Sequence, residues 1–232
     1  EQSSELGGML HHAKYVPFKR DLYKLAKVFA QRVENERIDL RLNTIVDEDY
    51  IQKEMPDVLI AAVGAEPIIP PIKGIEGKNV ILGVDADMKT DQIGKNVVII
   101  GGGLVGCETA INLAMQNRKI TILETRSELA PEANMFHKMA VQPLIEKYTT
   151  PMTNCSAIEF TTEGVKFRDE INQKEGMIKA DTIIISVGLR PKMSEVKKFE
   201  GIVNEYYPIG NCIRSGQVTE AIRQGYFIAR DL

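Results

Sequence analysis

The 232 residues carry 29 Lys and Arg against 32 Asp and Glu, a formal charge of −3, with 44% hydrophobic and 26% charged residues. That balance belongs to a core-forming chain and excludes disorder, and with no block of like charge it leaves nucleic acid and anionic membrane surfaces as poor partners. The longest apolar run, Val58 to Val63, is a strand's length and far below the roughly 18 residues of a membrane span; nothing near Glu1 has a signal peptide's layout, so a cytoplasmic location is expected.

Leu22, Leu25, Ala26, Phe29 and Val33 recur at helical spacing, so the first element is a helix. Short runs of Val, Ile and Leu then mark strands: VLIAAV (58 to 63), VIL (80 to 82), VVII (97 to 100), ITIL (120 to 123) and TIIISV (182 to 187). Runs that are apolar throughout fit strands covered on both faces, as in a parallel sheet. Cys107, Ala110, Ile111 and Ala114 form a second helical stripe. Val218, Ala221, Ile222, Gly225 and Ala229 form a third, in a helix starting near Thr219. Between residues 154 and 180 the period changes to two: Ile158/Phe160 and Val165/Phe167 alternate with polar neighbours around Glu163-Gly164. This is a small antiparallel meander in an otherwise α/β chain.

An internal repeat organises these elements. DVLIAAVGAEP (57 to 67) matches DTIIISVGLRP (181 to 191) at five of eleven positions, and EQSSEL (1 to 6) matches ETRSEL (124 to 129) at four of six, with offsets of 124 and 123. Two similar nucleotide-binding units follow one another. The first unit's counterpart of residues 101 to 106 would fall before Glu1, so its opening strand and helix are expected to be missing.

VVIIGGGLVGCETA (97 to 110) sets Gly101, Gly103 and Gly106 in G-x-G-x-x-G spacing after a strand and before a helical stripe. Gly101 permits the tight turn, Gly103 lets a pyrophosphate approach the backbone, and Gly106 allows helix and strand to pack closely. Glu124 ends the next strand 23 residues after Gly101, where an acid bonds a ribose hydroxyl. A carboxylate there repels a 2′-phosphate and favours NADH over NADPH. Arg126 either softens that repulsion or is a solvated charge. Glu1 holds the matching position in the first unit and is the candidate for a second ribose, or else a free chain end. The Val63-Gly64 and Val187-Gly188 turns offer backbone to a cofactor, or are ordinary turns after strands.

Other residues carry less. Cys107, Cys155 and Cys212 stand 48 and 57 residues apart, which leaves no metal or dithiol pair, and Cys107 lies on a buried stripe as a core residue. His11-His12 lacks a third ligand, and His137 is expected to be exposed.

Five segments in order, LGG (6 to 8), 56 to 74, 94 to 110, 180 to 191 and 209 to 225, resemble the C-terminal part of the old-yellow-enzyme-like NADH:flavin oxidoreductases, the group of 2-enoate reductase, 2,4-dienoyl-CoA reductase and trimethylamine dehydrogenase. The resemblance implies two Rossmann-like domains of glutathione-reductase type. A discontinuous FAD-binding domain, partial at its N-terminus, takes 1–90 and 205–232; an NAD-binding domain takes 91–204. It implies FAD contacts at Glu1, Gly8, Ala62, Gly64, Gly210 and Asn211. It implies NAD contacts at Gly101, Gly103, Leu104, Val105, Gly106, Glu124 and Gly188, with Glu108 facing the nicotinamide. The usual Gly-Asp of the late FAD motif is Gly210-Asn211 here. FMN and an iron–sulfur cluster are expected only in an N-terminal barrel of the same polypeptide, outside this chain, and no metal site within it.

The expected function is an NADH-dependent flavin oxidoreductase module that passes electrons from NADH through FAD to the barrel, in reduction of an enoate-type substrate. The chain alone is expected to be inactive and to hold no FAD. The alternative is a non-catalytic scaffold that binds ADP.

Overall fold

The computed structural model describes residues 1–232, which divide into two compact units: 1–8, 26–66 and 189–232 form the first, 9–25 and 67–188 the second. In chain order the helices are α1 (Arg20–Asn35), α2 (Glu48–Glu54), α3 (Gly83–Ala86), α4 (Leu104–Met115), α5 (Met135–Tyr148), α6 (Met193–Lys197) and α7 (Val218–Asp231). The strands are β1 (Val58–Ala61), β2 (Ala65–Pro67), β3 (Val80–Leu82), β4 (Asn96–Ile100), β5 (Lys119–Leu123), β6 (Thr149–Met152), β7 (Cys155–Thr161), β8 (Gly164–Asp169), β9 (Lys174–Lys179), β10 (Thr182–Ile185), β11 (Leu189–Pro191) and β12 (Glu205–Pro208).

The second unit is built on a parallel sheet in the order β3-β10-β4-β5-β6. Its strands read as unbroken apolar runs because both faces are covered. Val97, Ile99, Ile120, Ile122 and Ile184 pack with α4 and α5 on one side. Val98, Ile100, Leu123, Ile183 and Ile185 pack on the other against the meander β7-β8-β9, through Phe160, Val165 and Phe167. The chain runs from β4 through α4 to β5 on one flank and returns to β10 on the other, so the order switches at the C-terminal end of β4, where α/β sheets bind their ligands.

The first unit centres on the parallel pair β1-β12, with Val58 opposite Glu205 and Ala61 opposite Pro208. Ile51, Ala61, Val196, Phe199 and Cys212 form its core.

Several expectations need correction. VLIAAV, read as a strand covered on both faces, has one neighbour, β12, and remains partly exposed. Residues 67–90, expected in the first domain, pack in the second unit because β3 pairs with β10; residues 189–204 go to the first unit, where Val196 and Phe199 fill its core. One edge of the sheet, opposite β3, is β6, whose TTPM lacks a strand-like pattern and tolerates Pro151 because an edge leaves N–H positions unpaired. Helix α7 begins at Val218, and its apolar stripe is not buried: Ile222 is 42% exposed. No helix is long and apolar enough to cross a membrane.

Candidate dinucleotide-binding site

The turn after β4 holds the three spaced glycines, and Gly103 is the N-cap of α4. Gly101 adopts φ +104°, and a Cβ on it would stand 2.3 Å from the Ser186 carbonyl oxygen beyond β10. A Cβ on Gly106 would stand 2.2 Å from the Gly101 carbonyl oxygen, so turn, helix and strand can meet only with glycine at both places. Gly103 differs. A Cβ there meets nothing closer than the Glu132 Oε1 at 2.9 Å, the end of an exposed side chain, so the space beyond it opens outward. Leu104 and Val105 begin the helix, and Val105 is 53% exposed. The positive end of the helix dipole makes this end favourable for an anion.

Glu124 lies one residue past β5 and is 5% exposed. Its Oε2 accepts the Gly102 N–H at 2.5 Å. Its Oε1 accepts the Arg126 N–H at 2.8 Å, the Arg126 Nε at 3.0 Å and the Thr125 hydroxyl at 3.2 Å. Burial pushes its pKa up, but the bonds from Arg126 and Gly102 outweigh it and hold the carboxyl below its ordinary value. An ionised acceptor thus stands beside the turn. Arg126 is exposed, and its guanidinium also pairs with this acid.

One turn further along α4, Glu108 is buried and held from two sides: Lys19 forms an ion pair with its Oε2, and His137 Nε2 lies 3.1 Å from its Oε1. His137, expected to be exposed, is half-buried, and the Asn134 side chain caps α5 there by accepting the His137 N–H at 2.9 Å. Asn134-x-x-His137 was the available sign, an N-cap before a helix. Lys19 gave none, since its partner lies far away in sequence. Glu132, whose Oε1 accepts the Leu104 N–H at 2.5 Å, was also missed.

Gly188 follows β10 with φ +108°, exposed, its carbonyl accepting the Ile68 N–H at 3.1 Å. Cys107 is a core residue: its thiol donates to the Gly102 carbonyl at 3.4 Å, and burial, helped by the Glu132, Glu124 and Glu108 carboxylates, pushes its pKa up to about 12. No group of three or more His, Cys, Asp or Glu is placed to hold a metal ion.

The residues implied for FAD all lie in the first unit. Gly8 (φ +50°) and Gly64 (φ +76°) have nothing within 4 Å of a would-be Cβ, and Ala62 is exposed, so backbone is open to a ligand there. Other groups are already bonded within the chain. The Glu1 carboxylate accepts the Ser3 N–H at 2.7 Å, the Gly210 N–H donates to Gln224 Oε1 at 2.6 Å, and Asn211 Oδ1 accepts the Gly216 N–H at 3.0 Å.

The family profile described as pyridine nucleotide-disulphide oxidoreductase matches residues 25–225. The bilirubin reductase of Mediterraneibacter gnavus is 29% identical over 100% of this chain and 36% of its own length. The cinnamate reductase of Clostridium sporogenes is 25% identical over 100% of this chain and 35% of its own. Among solved structures, a complex of 2-naphthoyl-CoA reductase with 2-naphthoyl-CoA superposes with a TM-score of 0.88 at 30% identity, over 97% of this chain and 34% of the other. The chain spans about a third of the length of each of these relatives.

Proposed function

The chain belongs to the pyridine nucleotide-disulphide oxidoreductase family, and from that premise we propose that it is the electron-entry module of a larger NADH:flavin oxidoreductase. Gly101, Gly103, Leu104, Val105 and Gly106 hold the diphosphate of NADH, Glu124 its adenosine ribose, Gly188 and Glu108 its nicotinamide end. Glu1, Gly8, Ala62, Gly64, Gly210 and Asn211 serve FAD. When bound, the nicotinamide supplies a hydride and the flavin accepts it. The chain's own residues position and neutralise. The Gly-rich turn donates N–H groups to the diphosphate, the ionised Glu124 accepts a ribose hydroxyl, and Lys19 with His137 fixes the Glu108 carboxylate where it can accept from a carboxamide. The remaining two thirds of the polypeptide is read as an N-terminal barrel with FMN and an iron–sulfur cluster, acting on an enoate-type substrate. Enoate chemistry is suggested by the motif order and by the cinnamate reductase relative. Three cysteines, none bonded to another, suit a reducing cytoplasm.

The observation that carries this proposal is Glu124, buried, bonded to Gly102 inside the Gly-rich turn and held below the ordinary carboxylate pKa by its hydrogen bonds. Stopped-flow mixing of the full-length protein with NADH tests it. Bleaching of the flavin band is expected. No reduction at any NADH concentration, with ADP bound as well as NADH by calorimetry, would leave the ADP scaffold as the better account.

A further inference from the structure

We infer that Glu132 is a built-in competitor of the dinucleotide, a carboxylate of the chain itself seated where the diphosphate must bind; this rests on the placing of NADH proposed above. The segment between β5 and α5 folds back onto the Gly-rich turn. Ala130 N–H donates to the Gly102 carbonyl at 2.7 Å, and Leu129, buried, lies where a Cβ on Gly102 would come within 2.2 Å of its Cδ2. This anchoring delivers Glu132 to the N-terminus of α4. There its Oε1 accepts the Leu104 N–H at 2.5 Å and stands 2.9 Å from the would-be Gly103 Cβ, inside the space the glycine leaves open.

An anion at that spot satisfies the first donor of the helix and the positive end of its dipole, the same two things a diphosphate takes. Both cannot be there. The carboxylate also has somewhere to go: Arg126 Nη1 stands 4.0 Å from Glu132 Oε2, so the side chain, half exposed, can swing onto the guanidinium when the ligand arrives. Arg126 would then bind two acids, Glu124 and the displaced Glu132. Affinity for any diphosphate is therefore lowered by the fraction of time Glu132 is seated.

The contact makes a selective prediction. Glu132→Ala and Glu132→Gln, both at an exposed position, should tighten NADH and ADP alike by about three- to tenfold, because both ligands carry the diphosphate. Adenosine, which has none, should bind with unchanged affinity. Isothermal titration of the full-length protein with the three ligands reads this. Amide hydrogen exchange at Leu104, measured without ligand, should quicken in Glu132→Ala. Wild type and variants binding NADH equally, or variants binding it more weakly, would overturn the role of Glu132 while leaving the site assignment standing. NADH and ADP binding to neither protein would overturn both. A uniform gain that includes adenosine would show that Glu132 shapes the pocket rather than competing for the phosphate, and so would also overturn it.

Discussion

Glu66 and Arg190 stand at matching positions of the internal repeat, and their side chains meet, Arg190 Nη2 lying 2.6 Å from Glu66 Oε1. They belong to β2 and β11, which form a two-stranded sheet of their own. The repeated segment thus pairs with its own copy: each strand runs into a positive-φ glycine, Gly64 or Gly188, and then into this ribbon. Both charges are well exposed, so the ion pair contributes little, on the order of 0–1 kcal/mol, and the backbone pairing is what joins the copies.

The three glycines of the turn should respond differently to side chains. Gly103→Val should leave thermal stability within about 1 kcal/mol of wild type, since only the mobile end of Glu132 is in the way, yet abolish NADH binding. Gly101→Val, with its Cβ against a backbone carbonyl at a positive φ, should cost several kcal/mol, on the order of 3 or more. Melting curves beside NADH titrations separate the two; equal destabilisation would show that Gly103 is structural.

Glu124→Ala should weaken NADH relative to NADPH by roughly 1–3 kcal/mol, because an acceptor for the ribose and a repulsive charge go together. The variant also leaves the buried Gly102 N–H without its acceptor. In the wild type, the stability this carboxylate contributes is fully present above its ordinary pKa of 4.5 and is lost as pH falls through its lower native value. Acid titration of stability should accordingly be shallower in Glu124→Gln than in wild type. Superimposable acid curves would count against the hydrogen-bonded, ionised state.

Lys19→Met leaves the buried Glu108 carboxylate with His137 as its one remaining partner and should destabilise the protein by about 2–4 kcal/mol. Glu108→Gln removes the charge with the shape kept, and should cost less. If Glu108 serves the nicotinamide end, Glu108→Gln will change affinity for NADH and leave ADP untouched. Parallel changes for both ligands would assign Glu108 to stability alone.

All three cysteines are buried, and burial raises the pKa of Cys107 and Cys155. Native protein should therefore react with an aromatic disulfide reagent only as fast as it opens, and denaturant should release three equivalents at once. A fast stoichiometric phase in native buffer would show that one thiol is accessible.

Strands with both faces covered were legible because each residue, whichever way it points, is apolar: Val97 and Val98 face opposite cores. The Gly-rich turn and Glu124 were legible because sterics leave few other residues for those places. Thr149–Met152 was not, since an edge strand needs little hydrophobicity, and neither was α5, whose stripe contains Pro143. Lys19, Glu132 and His137 escaped for a different reason. A charged side chain's partner is chosen by the fold, and a run of sequence shows the charge but not the partner.

The pairing of β1 with β12 bears on how the chain is made. Val58 waits for Glu205, and the whole of residues 67–188 lies between them. On a ribosome the second unit's sheet is complete once β10 emerges, whereas the first unit's core still lacks Val196, Phe199 and Cys212. Such a distant contact makes closure slow, and the exposed edge of β1 is unpaired meanwhile. Nascent chains arrested once Pro191 has cleared the exit tunnel, and before Val196 has, should hold a protease-resistant core from residues 67–188 and a cleavable segment around Val58.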